Sequence, residues 1–144
     1  MKRHPSLQKL SDDHHRALVL ARRLRRLAAG TETVDLTVLS REVQQEFDTD
    51  LEPHFRIEER CLLPALRAKG ADELARRTTS DHTRLRELVR SPWTGDTVAN
   101  LGAFLETHVR FEERTLFPKA EALLSDAELA SLREASENRR RPGA

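Results

Sequence analysis

The chain repeats itself once, and the repeated piece holds its most reactive side chains. His54-Phe-Arg-Ile-Glu58-Glu59-Arg-Cys-Leu-Leu-Pro64 aligns without gaps to His108-Val-Arg-Phe-Glu112-Glu113-Arg-Thr-Leu-Phe-Pro118, with seven of eleven positions identical. Leu51-Glu52 and Leu105-Glu106 extend the match upstream. A shorter pair precedes each copy, Asp13-His14-x-Arg16 and Asp81-His82-x-Arg84. The pattern is that of two helical hairpins, each with Asp-His on one helix and His-x-x-x-Glu on the next. The unit is longer than a solenoid repeat, so two copies close into a bundle rather than an open array.

Apolar residues recur at helical spacing, which predicts an all-α, up-down-up-down four-helix bundle with a short C-terminal fifth helix. The first helix is expected from Ser11 as N-cap, through Leu18, Ala21, Leu24 and Ala28, to a stop at Gly30. A second should run from after Asp35 to about Lys69-Gly70, and a third from Asp72 to Arg90. Ser91-Pro92-Trp93-Thr94-Gly95 ends the third, and a fourth fits Asp96 to about Leu124. Ser125-Asp126-Ala127-Glu128 has the form of a capping box that opens the fifth. Pro53, Pro64 and Pro118 fall inside helical patterns, and each removes a backbone donor, so kinks are expected there. One domain is expected over 1–144, with the bundle core at about 10–124 and the last helix and tail at 125–144.

Composition narrows the function. A chain of 144 residues can bury a full core, and its formal charge is only +1. Basic and acidic residues are interleaved, which argues against a nucleic-acid partner, and Arg139-Arg140-Arg141-Pro142 reads as a frayed, soluble end. No apolar run is long enough to span a bilayer, and Met1 to Pro5 lacks the apolar segment of a signal peptide, so a cytoplasmic protein without membrane contact is expected. Cys61 stands alone and can form no internal disulfide. The absence of Tyr removes tyrosyl chemistry, and no phosphate-cradling glycine loop is present.

Residues four apart share a helix face, so His54 with Glu58 and His108 with Glu112 each set an imidazole beside a carboxylate. His54 lies on a stripe with Phe47, Leu51, Cys61 and Ala65, and His108 on one with Leu101, Phe104 or Leu105, Phe111 and Thr115. His82 lines up with Leu74 or Ala75, Leu85 and Val89. His14 shares a face with Leu10, Ala21 and Leu24, whereas the His15 face carries Ser11, Arg22 and Arg26, so His14 is the inward member. His4 precedes the first helix and is set aside. Burying such groups without partners costs about 2–7 kcal/mol each, so they must satisfy one another or hold a cation. Imidazole and carboxylate donors without thiolates suit iron, manganese or zinc. Four His and two Glu would close a single ion completely. Shared between two ions, with both glutamates bridging, they leave each ion an open position for a small ligand.

The order His, His-x-x-x-Glu, His, His-x-x-x-Glu resembles the hemerythrin-like (HHE) cation-binding family over about residues 10–124. The Glu-Glu-Arg-x-Leu-[Leu/Phe]-Pro run after each ligand pair strengthens the likeness. The resemblance implies two non-haem iron ions, with Mn or Zn as substitutes, held by His14, His54, Glu58, His82, His108 and Glu112. It also implies a ligand such as O₂, peroxide or NO, used in carriage, in oxygen, iron or redox sensing, or in peroxide decomposition. Two departures stand out. The oxygen carriers of the family have a fifth histidine one turn before the position of His82, where this chain has Thr78. Their second carboxylate is an Asp five residues past its His, which leaves Glu113 as an alternative to Glu112. The missing imidazole favours peroxide or redox chemistry over reversible carriage. No separate catalytic residue is assigned.

Cys61 reads either as a small core filler or as a thiol close to the ligand pocket. Asp13 and Asp81 could orient imidazoles or simply complement a helix N-terminus. Glu59 and Glu113 are expected to face outward toward arginines, and Trp93 to cap one end of the core. Glu-x-x-His and His-Glu-x-x-His, the signatures of ferritin-like and zinc-protease sites, are absent. Three functions follow: a sensor or binding protein working through a separate protein partner, a catalase-like or peroxidase-like enzyme, and a metal-free interaction bundle.

Overall fold

The computed structural model describes residues 2–30 and 33–139, and its elements are helical throughout. A 3₁₀ turn, Pro5–Leu7, leads directly into α1, Gln8–Ala28. The rod α2 covers 36–68, α3 is Asp72–Arg90, α4 covers 95–123 and α5 is Asp126–Asn138. The result is the expected up-down-up-down bundle with a fifth helix. Helix α1 packs along α4, α3 lies between α2 and α4, and α5 returns across the Pro5–Leu7 turn, α1 and α2.

Most helix ends follow their local chemistry. Gly30 and Gly70 take φ of 76° and 86°, the left-handed stop that ends α1 and α2. Asp35 Oδ1 accepts from the Thr37 and Val38 amides at 2.8 and 3.2 Å to start α2. Ser125 and Glu128 close the expected capping box at the head of α5. A second capping box, Thr94 with Thr97, opens α4. Trp93 packs on the core end and donates its indole N–H to the Val89 carbonyl at 3.0 Å.

The start of α1 differs from expectation. Ser11 is not an N-cap, because Pro5 and the His4 imidazole, which accepts from the Ser6 amide at 3.0 Å, begin the helical turn earlier. The prolines also act differently from simple kinks. Each follows a π-helical turn, Phe47–Leu51 before Pro53, Glu58–Leu62 before Pro64 and Glu112–Leu116 before Pro118. The widened turn carries the irregularity that a missing proline N–H imposes on the ladder.

The core is split in two. One apolar cluster holds Leu20, Leu24, Phe47, Phe55, Leu85, Leu101 and Val109, and the other holds Leu10, Leu62, Leu66, Phe111, Leu116, Phe117 and Leu129. Between them lie the buried His14, His54, Glu58, His82, His108 and Glu112.

Helices α1 and α4 meet where α4 has Gly102. A Cβ built there would stand 3.1 Å from Leu24 Cβ, 3.2 Å from the Ala21 carbonyl and 3.2 Å from Arg25 Cγ. Two of those neighbours are backbone or the first side-chain atom, so they yield only if the helices part. Gly102→Ala is expected to lower stability by about 1 kcal/mol despite its better helix propensity, because overpacking outweighs that gain. An unchanged or raised midpoint in thermal unfolding would show that the close approach is unimportant.

Candidate metal centre

The six side chains singled out by the repeat meet at the middle of the bundle, with Glu58 and Glu112 fully buried. His14 Nε2 lies 2.7 Å from Glu112 Oε1, and His54 Nε2 lies 3.1 Å from Glu58 Oε2 and 3.4 Å from Glu112 Oε1. Across the layer, His82 Nε2 is 3.0 Å from Glu58 Oε1, and His108 Nε2 is 3.0 Å from Glu112 Oε2. The donors form two overlapping groups, His14-His54-Glu58-Glu112 and Glu58-His82-His108-Glu112, each with ligand atoms within 4.8 Å of one another.

The outer edges of the rings explain why the inner edges are free. Every Nδ1 faces a carboxylate: His14 donates to Glu113 at 2.6 Å, His54 to Asp13 at 3.0 Å, His82 to Glu59 at 2.8 Å and His108 to Asp81 at 2.9 Å. Carboxylates only accept, so these contacts fix the proton on Nδ1 and leave the Nε2 lone pair pointing inward in the neutral ring. Lone pair then faces carboxylate oxygen. Both Glu58 oxygens, Glu112 Oε2 and the Nε2 atoms of His82 and His108 are buried without an aligned hydrogen bond, although they lie close together. Two acceptors at such distances need a cation between them, either a proton or a metal ion.

Protons fill that role when the chain is metal-free. Burial would push each imidazole down, but the surrounding carboxylates outweigh it. Glu112, Glu58 and Glu59 raise His82 to about 11, and Glu112 with Asp81 raises His108 to about 9. His14 and His54 move up for the same reason. Burial would raise Glu112, yet the facing imidazoles hold it well below the usual carboxylate range. Glu59 falls to about 2 between His82 and Arg86, despite its partial burial.

Several outer residues sit differently from expectation. Glu59 and Glu113 do bind arginines, Arg86 and Arg3, but their main service is to the imidazoles of His82 and His14. Asp13 and Asp81 each hold the histidine of a neighbouring helix rather than the one beside them in sequence. The exposed His15 takes no part, and Glu112 is the central carboxylate with Glu113 at the rim. Cys61 and Thr115 leave the inner stripe because the π turns shift the helix phase, and Leu62 and Leu116 are buried instead. Cys61 lines a surface cavity of about 320 Å³ with Pro53, Ile57 and Arg139. Arg139 is no frayed end, since its guanidinium is paired with Asp13, while Arg140, Arg141 and Pro142 lie outside the described residues. Sequence reasoning also missed the rings that flank the layer. Phe55 stacks on His82 at 3.9 Å between centroids and Phe117 on His14 at 5.1 Å.

Residues 6–91 match the family model for the hemerythrin HHE cation-binding domain. The chain belongs to that family. The matched span carries His14, His54, Glu58 and His82 of this hemerythrin-like domain, and the internal repeat with the geometry above adds His108 and Glu112. No curated protein and no solved structure matches the chain. No helix among the described residues is long and apolar enough to cross a membrane.

The protonated layer gives the metal-free domain a definite pH profile. Imidazoles raised in the folded state contribute stability that is complete below their unfolded pKa of about 6.5 and is lost as pH climbs through the range of about 9 to 11. Carboxylates depressed in the folded state contribute above about 4.5 and lose it as pH falls. Thermal unfolding of the chelator-treated protein should therefore peak between about pH 5 and 6.5 and decline on both sides. A midpoint that rises steadily from pH 7 to 10 would rule out the charged layer.

Proposed function

We propose that this domain holds a pair of non-haem iron ions that binds O₂, peroxide or NO in an oxygen, iron or redox response. The observation that supports it most is the sharing of Glu58 and Glu112 between two buried donor groups. In this reading His14 and His54 serve one ion, His82 and His108 the other, and both glutamates span the pair. Each ion would then be offered two imidazoles and a carboxylate oxygen from each glutamate, fewer donors than an iron ion can take, so a small ligand could bind as well. Manganese or zinc fits the same donors.

A bound iron pair supplies electron exchange with O₂ or peroxide at an open position. The chain supplies the setting. Asp13, Glu59, Asp81 and Glu113 hold the imidazoles with Nε2 inward. Apolar clusters on both sides of the layer keep bulk water out.

Thr78 gives the peroxide reading specific support. It is fully buried one turn before His82, where the family's oxygen carriers have their fifth histidine. Its hydroxyl donates to the Leu74 carbonyl at 2.8 Å, so it is already committed to its own helix. With no imidazole offered at position 78, a metal held by His82 would have one protein donor fewer than in those carriers, which favours peroxide turnover, with O₂ released, over reversible carriage. As a sensor, the domain would act through a separate protein partner that reads out the state of the centre.

Metal analysis of protein purified without chelator, followed by anaerobic Fe(II) loading, should give about two ions per chain, as in other di-iron bundles. Absorption should change on adding O₂ or peroxide. A chain that never takes up more than one ion refutes the pair. Peroxide turnover lost in His82→Ala identifies the enzyme, whereas reversible O₂ uptake without turnover identifies the binding protein.

A further inference from the structure

The two halves of the centre have matching donors but differ in what lies behind them. On one side, Arg139 follows α5 and reaches back to α1. Its Nη1 donates to Asp13 Oδ2 at 2.6 Å and its Nη2 to Asp13 Oδ1 at 2.7 Å. Oδ2 is the same oxygen that receives His54 Nδ1–H at 3.0 Å. Arg16 adds a third donor to Oδ1 at 2.7 Å. The Asp13 and Arg139 side chains are 1% and 5% exposed, so this ion pair is largely shielded from water.

The repeat offers a comparison within the same molecule. Asp81 holds His108 as Asp13 holds His54. Yet Asp81 is 15% exposed, and Arg77, one turn away on its own helix, approaches only to 3.9 Å. The Arg77 guanidinium lies over the Phe111 ring instead, at 4.0 Å. One half is thus clamped by an arginine from a distant element, and the other is left to solvent and its own helix.

We propose that Arg139 is a positioning residue for the His54 half of the centre, so that docking of α5 and metal binding at that half are coupled. The inference rests on the reading that His54 binds a metal ion. With Arg139 seated, both Asp13 oxygens are held and Oδ2 stays aimed at His54 Nδ1, which keeps the proton there and Nε2 inward. With α5 lifted, Arg16, whose side chain is 42% exposed, is the one arginine left on Asp13, and Oδ2 is no longer fixed toward His54 as water enters. His54 then loses its fixed tautomer and orientation. Leu129 and Leu132 seat α5 in the lower apolar cluster, which makes its docking a definite state. By reciprocity, a metal ion at His54 tightens α5, and a partner that draws α5 away loosens that ion.

Co(II) titration of the full chain tests this, with Arg139→Gln, Arg139→Lys and the exposed control Arg133→Gln. Arg139→Gln should weaken one ion by about 10- to 100-fold and leave the other unchanged, with Arg139→Lys intermediate and Arg133→Gln like the parent. Imidazole NMR of the metal-free protein should show a protected Nδ1 proton on His54 that Arg139→Gln removes while that of His108 persists. Unchanged Co(II) binding with the His54 proton intact would overturn the proposal. So would equal weakening of both ions together with a lower unfolding midpoint, which is the mark of a merely structural contact. Failure of the parent chain to bind Co(II) would refute the metal reading, and the His54 proton would still decide the role of Arg139.

Discussion

Carboxylate and imidazole acceptors facing each other in a dry layer are the constraint on which this bundle rests. Left alone, the inner atoms of His14, His54, His82, His108, Glu58 and Glu112 would repel one another and carry an unrecovered desolvation cost. Each helix of the four-helix core therefore brings both an inward donor and part of a support. The support runs outward in steps, from imidazole to carboxylate to guanidinium: His14 to Glu113 to Arg3, His82 to Glu59 to Arg86, His54 to Asp13 to Arg139. Buried charge is thereby balanced stepwise until it reaches the solvent. The apolar clusters on either side add the low-dielectric walls that make each of these pairs strong.

The π turns belong to the same solution. Glu58 and Glu112 each begin one, and each turn closes onto the residue before Pro64 or Pro118. Inserting a residue into the helix rotates everything beyond it. Leu62 and Leu66 are then buried where a regular helix would have put Cys61 and Ala65. The rods can present His-x-x-x-Glu to the polar layer and still recover a continuous apolar face below it. Proline stabilises that arrangement by forbidding the regular ladder at that point.

Much of this was legible because the repeat and the helical period report on the same face. They identified His14 over His15, the six inward groups, both glycine stops and the Ser125 capping box. What stayed hidden depended on other helices. Glu59 and Glu113 project away from their own core stripe, so a single-helix projection makes them surface residues, and only the neighbouring helix shows the imidazole they meet. Asp13 and Asp81 cross to His54 and His108 for the same reason. Ser11 looked like a cap, but its hydroxyl donates to Glu113 at 2.9 Å and the helix begins earlier. Arg139 belongs to no periodic pattern, and composition alone cannot separate a clamping arginine from a basic tail.

Duplication gives this centre its symmetry, and packing removes it. His14 is covered by Phe117 from the lower cluster, while His82 is covered by Phe55 from the upper one. In the repeat, Phe55 corresponds to Val109 and Phe117 to Leu63, so neither ring has an aromatic counterpart in the other half. The outer carboxylates diverge too, with Asp13 clamped and Asp81 partly exposed. Groups behind a ligand alter its basicity and the access of water as effectively as a change of ligand does. Two ions with matching donors would therefore differ in affinity and in their approach to a small molecule.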